Sequence, residues 1–210
     1  MSAKELLHQY LDECPLIAII RGVTPDEAEA IGEAIYESGI RIVEVPLNSP
    51  DPLNSIERLA KRLGERMLVG GGTVLKSSQV ENVRNAGGRL IVSPNTNADV
   101  IGVTSGAGLV SCPGYFTPSE AFIALGTGAT ALKVFPAEGA TPAVLKAHLA
   151  VFPKDVTLLV VGGIKPDNMQ PWVAAGAAGF GLGGGLYQPG QSAAETLDKA
   201  RAYVSGVKRG

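Results

Sequence analysis

The feature that most constrains this chain is a strict alternation of short apolar runs with capped, helix-like segments. Runs at 16–20, 42–47, 67–69, 90–92, 108–112, 129–134, 157–161 and 178–182 are apolar almost throughout and often β-branched, as strands buried on both faces of a parallel sheet should be. Between them lie helical stretches. Thr24-Pro25-Asp26-Glu27 opens one of them with a capping threonine, a first-turn proline and acids near the positive end of the helix dipole. Thr117-Pro118-Ser119-Glu120 opens another in the same way. Further helices are predicted at 3–13, to 63 before Gly64, at 77–86 and 97–105, and from 142, 166 and 192. Strict alternation argues a parallel sheet, and eight βα units argue closure into a (βα)8 TIM barrel preceded by an N-terminal helix. An open doubly wound sheet is the alternative, but Gly70-Gly71-Gly72-Thr73 does not fit a dinucleotide fingerprint. No linker, low-complexity segment or charge block interrupts the series, so residues 1–210 read as one domain.

Composition narrows the function classes. Hydrophobic residues make up 45% of the chain and charged residues 18%, enough for a large core. A net charge of −2 offers no electrostatic reason to expect nucleic acid or an anionic membrane as partner. No apolar run reaches membrane-spanning length, and the N-terminal stretch has acids and no long apolar core, unlike a signal peptide. Cys14 and Cys112 sit in separate strand-like runs and read as buried thiols of a reducing compartment. A cytoplasmic protein is expected.

In a barrel, alternate residues of each strand point inward, and active sites form at the strands' C-terminal ends. By that parity Arg21 shares a side with Ile17 and Ile19, and Glu44 with Ile42, Pro46 and Asn48. Thr73 shares a side with Val69 and Gly71, Pro94 with Val92, and Lys133 with Ala131 and Phe135. A charge on an otherwise apolar strand is costly unless paired, so Arg21, Glu44 and Lys133 are expected to converge in one cavity. Lys133, between Leu132 and Val134, either points to solvent or is desolvated, and a desolvated amine is a nucleophile for carbonyls. Glu44 is either catalytic or a structural partner of Arg21, Arg21 either a ligand or a brace, and Thr73 either a ligand or a helix cap. His8 and His148 fall on predicted helices as surface or packing residues, Cys112 reads as an inert strand cysteine, and no metal-ligand spacing is present. The glycine loops around Gly162-Gly163 and Gly183-Gly184-Gly185 follow the last two strands, where barrels often bind phosphate through backbone N–H groups. Tight turning alone is the other account of those glycines.

Several dispersed motifs resemble the class I aldolases of 2-keto-3-deoxy-6-phospho sugar acids, the KDPG/KHG family. They are Ile-Ile-Arg-Gly-Val-Thr-Pro (19–25), Val-Glu-Val-Pro-Leu-Asn-Ser-Pro (43–50), Gly-Gly-Gly-Thr-Val-Leu (70–75), Ser-Pro-Asn (93–95), Cys-Pro-Gly (112–114), Leu-Lys-Val-Phe-Pro-Ala (132–137) and Val-Gly-Gly-Ile (161–164). The resemblance runs in order from about residue 15 to the end. Pro46-Leu47-Asn48, Pro94-Asn95 and Val161 are similar to the galactonate-type branch; gluconate-type members have Thr-Leu-Arg at 46–48. Phe135-Pro136-Ala137-Glu138 reads more like the gluconate type, and Gly184 stands where the galactonate type usually carries a phosphate-contacting serine.

The resemblance implies cleavage of 2-dehydro-3-deoxy-6-phospho-D-galactonate to pyruvate and D-glyceraldehyde 3-phosphate, without cofactor or metal. Its alternatives are the gluconate epimer or both, and more remotely an isomerase or epimerase on the same barrel. It implies that Lys133 forms a Schiff base and that Glu44 acts as general base and acid through a water. It further implies that Arg21 and Thr73 hold the carboxylate, that Pro94 and Phe135 belong to the substrate site with Phe135 against the pyruvyl group, and that Gly162, Gly163 and Gly184 line the phosphate site. A homotrimer is also implied.

Overall fold

The apolar runs pair side by side in the computed structural model, which describes residues 1–207. Nine strands form: β1 (Leu16–Ile19), β2 (Ile42–Pro46), β3 (Leu68–Gly72), β4 (Leu90–Val92), β5 (Val110–Cys112), β6 (Gly114–Tyr115), β7 (Leu132–Val134), β8 (Leu158–Val161) and β9 (Gly179–Leu182). They pair in the order β5-β4-β3-β2-β1-β9-β8-β7-β6, all parallel. The two strands at the ends of that order, β5 and β6, are separated in the chain only by Pro113. Proline has no N–H to give to a ladder, so one stave is registered as two pieces. Hydrogen bonds still cross it on both sides. The N–H groups of Ala131 and Lys133 donate to Ser111 and Pro113 carbonyls at 3.1 and 2.9 Å, and Gly114 N–H donates back to Ser93 at 3.0 Å. The sheet therefore closes as eight staves, the expected TIM barrel.

Helices α1 (Ala3–Glu13), α2 (Pro25–Ser38), α3 (Pro52–Leu63), α4 (Ser77–Asn85), α5 (Ala98–Gly106), α6 (Pro118–Gly126), α7 (Pro142–Val151), α8 (Gln170–Ala175) and α9 (Ala193–Val207) complete the fold, with a 3₁₀ turn at Ala137–Gly139. The acids act as read, while the side chains of Thr24 and Thr117 make no cap hydrogen bond to the helix N–H groups. Glu27 Oε2 accepts from Thr24 N–H at 3.1 Å, and Glu120 Oε2 accepts from Thr117 N–H at 2.8 Å, satisfying N–H groups that the first helical turn leaves unpaired.

Two apolar layers follow from the strand parity. Ile17, Ile42, Leu68, Leu90, Val110 and Leu159 fill the barrel interior, where Leu7, Tyr10 and Leu11 of α1 join them. Helix α1 sits at the strands' N-terminal ends, tied there by Lys4 to Asp155 at 2.6 Å and by His8 to Thr157 at 2.9 Å. The opposite parity, including Leu16, Val43, Val69, Leu132 and Phe180, packs against the outer helices. With α1 across one end, only the C-terminal end is left for a site. Among the described residues no helix is long and apolar enough to cross a membrane.

Three expectations need correction. Strand β3 does not stop at Val69 but runs through Gly70, Gly71 and Gly72, because parallel neighbours on both sides pair with this glycine run despite its low strand propensity. The helix expected from 166 begins at Gln170, after a turn in which Lys165 N–H donates to Asn168 Oδ1 at 2.8 Å. The parity on the third strand is also reversed. Leu68 is the inward residue and Val69 the outward one, and a side chain at 71 would meet Val83 and Ile56 on the helical side.

Candidate active site

Arg21, Glu44 and Lys133 come from three staves and meet at the mouth. Glu44, on β2, is 2% exposed, and Lys133, on β7, is 6% exposed. Burial is the main influence on both. It lifts the Glu44 carboxyl to about 7, against the pull of Lys133 and then of Arg21. It lowers the Lys133 ammonium from its ordinary value, opposed by Glu44 and Cys112 and helped by Arg21. Each group is thus drawn toward its neutral form, which makes the amine a better nucleophile and the acid a proton carrier near neutral pH. Glu44 Oε2 is buried and has no hydrogen-bond partner within the protein. Glycine at 72 leaves the space that this carboxylate fills, since a Cβ there would collide with its atoms.

Around this pair the remaining residues divide by position. Lys133 Nζ lies 4.8 Å from the centroid of the Phe135 ring. Arg21 Nη1 donates to Asn48 Oδ1, and at 3.4 Å to Thr73 Oγ1. Simple alternation would turn Thr73 outward. It reaches the mouth because its backbone takes φ +54°, a left-handed conformation that costs a β-branched residue about 1–3 kcal/mol. Pro94 is half-buried at the end of β4, with its carbonyl close against Gly114.

A cavity of about 570 Å³ opens beside the charged set. It is lined by Arg21 and Phe135 and by both glycine loops, including Gly162, Gly163 and Gly184; Glu44, Lys133, Thr73 and Pro94 are not among its lining residues. Arg21 and Phe135 therefore join the cavity to the buried pair. Gly162 and Gly163 take φ +117° and +64°, which requires glycine. Their loop is held from behind. Asn168 Nδ2 donates to Gly163 O at 2.9 Å, and the Tyr203 hydroxyl, from α9, donates to Ile164 O at 2.9 Å. A peptide's N–H points opposite to its carbonyl, so the grip on Gly163 O turns the Ile164 N–H away from Asn168, while the Lys165 N–H is itself engaged by Asn168 Oδ1 at 2.8 Å. The Tyr203 hydroxyl also occupies the space a side chain at 185 would need, so it touches both loops.

Sequence reasoning missed Gly72, Tyr203 and Glu138. Gly72 lies in the glycine run that follows the expected third strand and has no side chain to mark it, and the other two come from α9 and from the short helical turn after β7. Of the remaining candidates, Cys112 neighbours Lys133 and the two histidines lie elsewhere. Burial pushes the Cys112 thiol up to about 12, so it remains protonated. His8 packs α1 to the barrel, and His148 Nδ1 lies 3.2 Å from the Tyr115 hydroxyl on the outer side. Among the described residues no cluster of three or more His, Cys, Asp or Glu could hold a metal ion.

Comparison with known proteins gives the family. Residues 7–201 match the family model for KDPG and KHG aldolase. A 2-dehydro-3-deoxy-6-phosphogalactonate aldolase of Escherichia coli (strain K12) is 45% identical over 200 residues, covering 95% of this chain and 98% of that protein. A solved structure described as native KDPGal superposes with a TM-score of 0.92 at 45% identity, covering 93% of this chain and 95% of the other. A cube-shaped, highly porous cage designed by fusing symmetric oligomeric domains contains a similar chain, with a TM-score of 0.91 at 46% identity, covering 92% of this chain and 72% of that one. The chain belongs to the KDPG and KHG aldolase family.

Proposed function

We propose that the protein is a class I aldolase that cleaves 2-dehydro-3-deoxy-6-phospho-D-galactonate to pyruvate and D-glyceraldehyde 3-phosphate. The observation that carries this reading is the buried Lys133–Glu44 pair, in which burial lowers the amine pKa and lifts the carboxyl to about 7. Lys133 Nζ attacks the C2 ketone, water is lost, and an iminium forms. Glu44 takes the proton of the C4 hydroxyl. The C3–C4 bond breaks, its electron pair moves into the iminium to give an enamine, and the aldehyde leaves. Protonated Glu44 returns the proton to C3, and water hydrolyses the iminium to release pyruvate and the free amine.

Arg21 and Thr73 hold the substrate carboxylate, Pro94 walls the same end, and Phe135 packs against the pyruvyl group. The phosphate docks at Gly162, Gly163 and Gly184. Asn48, bonded to Arg21, supports the galactonate epimer, since the gluconate-type pattern has arginine there. We infer a homotrimer. The half-exposed Phe122, Ile123 and Val151 on α6 and α7, at 48%, 53% and 61%, and the likeness to a component of an oligomer-based cage support assembly through that side. A phosphorylated sugar acid cannot cross a membrane unaided, which supports a cytoplasmic enzyme.

Borohydride reduction in the presence of pyruvate, followed by peptide mass mapping, tests the chemistry. A pyruvyl adduct on Lys133 is expected, and its absence from folded protein at saturating pyruvate would sink the imine mechanism. Lys133→Arg should abolish turnover; an isomerase or epimerase would retain it. Comparing kcat/KM on the two C4 epimers decides the substrate, and faster gluconate cleavage would reverse the assignment. Light scattering reads the subunit number.

A further inference from the structure

The phosphate cavity contains a group that does not suit an anion. Glu138, on the 3₁₀ turn Ala137–Gly139, lines it beside Gly162 and Gly163. Its carboxylate lies against the loop itself. A Cβ on Gly162 would collide with Glu138 Oε2 and would meet Ala137 N at 2.9 Å, while one on Gly163 would meet Glu138 Cγ at 2.8 Å. These two glycines therefore have a second role besides their positive φ, which is to let an acidic side chain lie on the anion loop. The other charged lining residues, Arg21 and Lys165, are cations, and Glu138 is the acid among them. Among the described residues it is in no ion pair, so neither cation holds its carboxylate in direct contact.

We propose that Glu138 is a specificity-determining residue that competes with the substrate phosphate for the Gly162–Gly163 loop. A phosphate entering the cavity must displace the carboxylate or sit beside it, and like charges placed together oppose binding. Glu138 thereby weakens retention of phosphorylated ligands and speeds release of the phosphorylated aldehyde product. It sits at the phosphate end, since Lys133 and Glu44 are not among the residues that line the cavity.

The inference rests on the phosphate reading above, and the test separates the two. Addition of pyruvate to unphosphorylated D-glyceraldehyde is measured with inorganic phosphate as inhibitor, alongside the KM for D-glyceraldehyde 3-phosphate. In Glu138→Gln, phosphate inhibition is expected to tighten about three- to tenfold, with a similar fall in that KM, because an amide keeps the shape and removes the charge. The gain should shrink as salt screens the repulsion. Turnover of unphosphorylated glyceraldehyde should change far less than the KM for the phosphorylated aldehyde. Glu138→Asp, which withdraws the carboxylate by one methylene, should fall between parent and amide. Unchanged or weaker phosphate inhibition in Glu138→Gln, with parent inhibition intact, overturns the inference and leaves the phosphate site standing. A lowered melting temperature without tighter phosphate binding overturns it in favour of a structural latch. Indifference of the parent enzyme to inorganic phosphate, with no preference for the phosphorylated aldehyde, removes both readings together.

Discussion

Gly72 and Glu44 share one volume: the carboxylate on β2 fills the space that a side chain at position 72 of β3 would take. A glycine inside a strand weakens the strand, so its presence here trades sheet stability for room at the mouth. Gly72→Ala should push the carboxylate off its position. We expect kcat to fall by about 100-fold, within the range that a positioned general base supplies. Overpacking should cost about 1–3 kcal/mol in urea unfolding. Steady-state kinetics with a matched unfolding curve checks both, and an active Gly72→Ala enzyme would remove Glu44 from the proton transfer.

Glu44 predicts a pH dependence. With its carboxyl lifted to about 7, kcat/KM should fall about tenfold per pH unit below neutrality, as the base form is lost. Glu44→Gln should lack that limb.

Stability runs in the other direction. The folded pKa lies above the unfolded one, so the protonated group's contribution is fully present below about pH 4.5 and is lost as pH rises through about 7. Relative to Glu44→Gln, the parent should therefore lose stability on the order of 3 kcal/mol between those values. Chemical unfolding of both proteins at the two ends of the window measures this, and a constant difference would contradict the burial argument.

Arg21 is oriented by Asn48 through a charge-assisted hydrogen bond. Asn48→Ala should lower kcat/KM on the galactonate substrate by roughly 10- to 100-fold, the scale of a hydrogen bond to a charged group. Gluconate cleavage should change less, so the epimer ratio should narrow. Kinetics on both epimers tests this, and equal losses on the two would show that Asn48 only braces Arg21.

Tyr203 holds the Ile164 carbonyl at 2.9 Å and lies beneath Gly185. Tyr203→Phe removes a buried hydrogen bond worth about 1 kcal/mol. KM for the phosphorylated substrate should rise several-fold while the rate of imine formation with pyruvate stays unchanged. A change in imine formation would place the effect at Lys133 instead.

The alternation of apolar runs and caps was sufficient to read the barrel, because burial on both faces of a parallel sheet leaves a local signature in composition. Strand parity carried Arg21, Glu44 and Lys133 to one end for the same reason, since side chains alternate along a strand whatever the neighbours are. Parity failed at β3. Three successive glycines have no side chains to mark inside from outside, so Leu68 and Val69 exchanged roles, and Thr73 arrived at the mouth only through a left-handed backbone.

Local periodicity is enough to set the architecture and the directions of the strand-borne residues. Packing between distant units set Gly72 as the counterpart of Glu44, let Tyr203 of the last helix pin a loop 39 residues before it, and laid Glu138 on the Gly162–Gly163 loop. These relations join residues from different βα units. Their distances depend on how the closed sheet brings the units together, and no spacing along the chain encodes that.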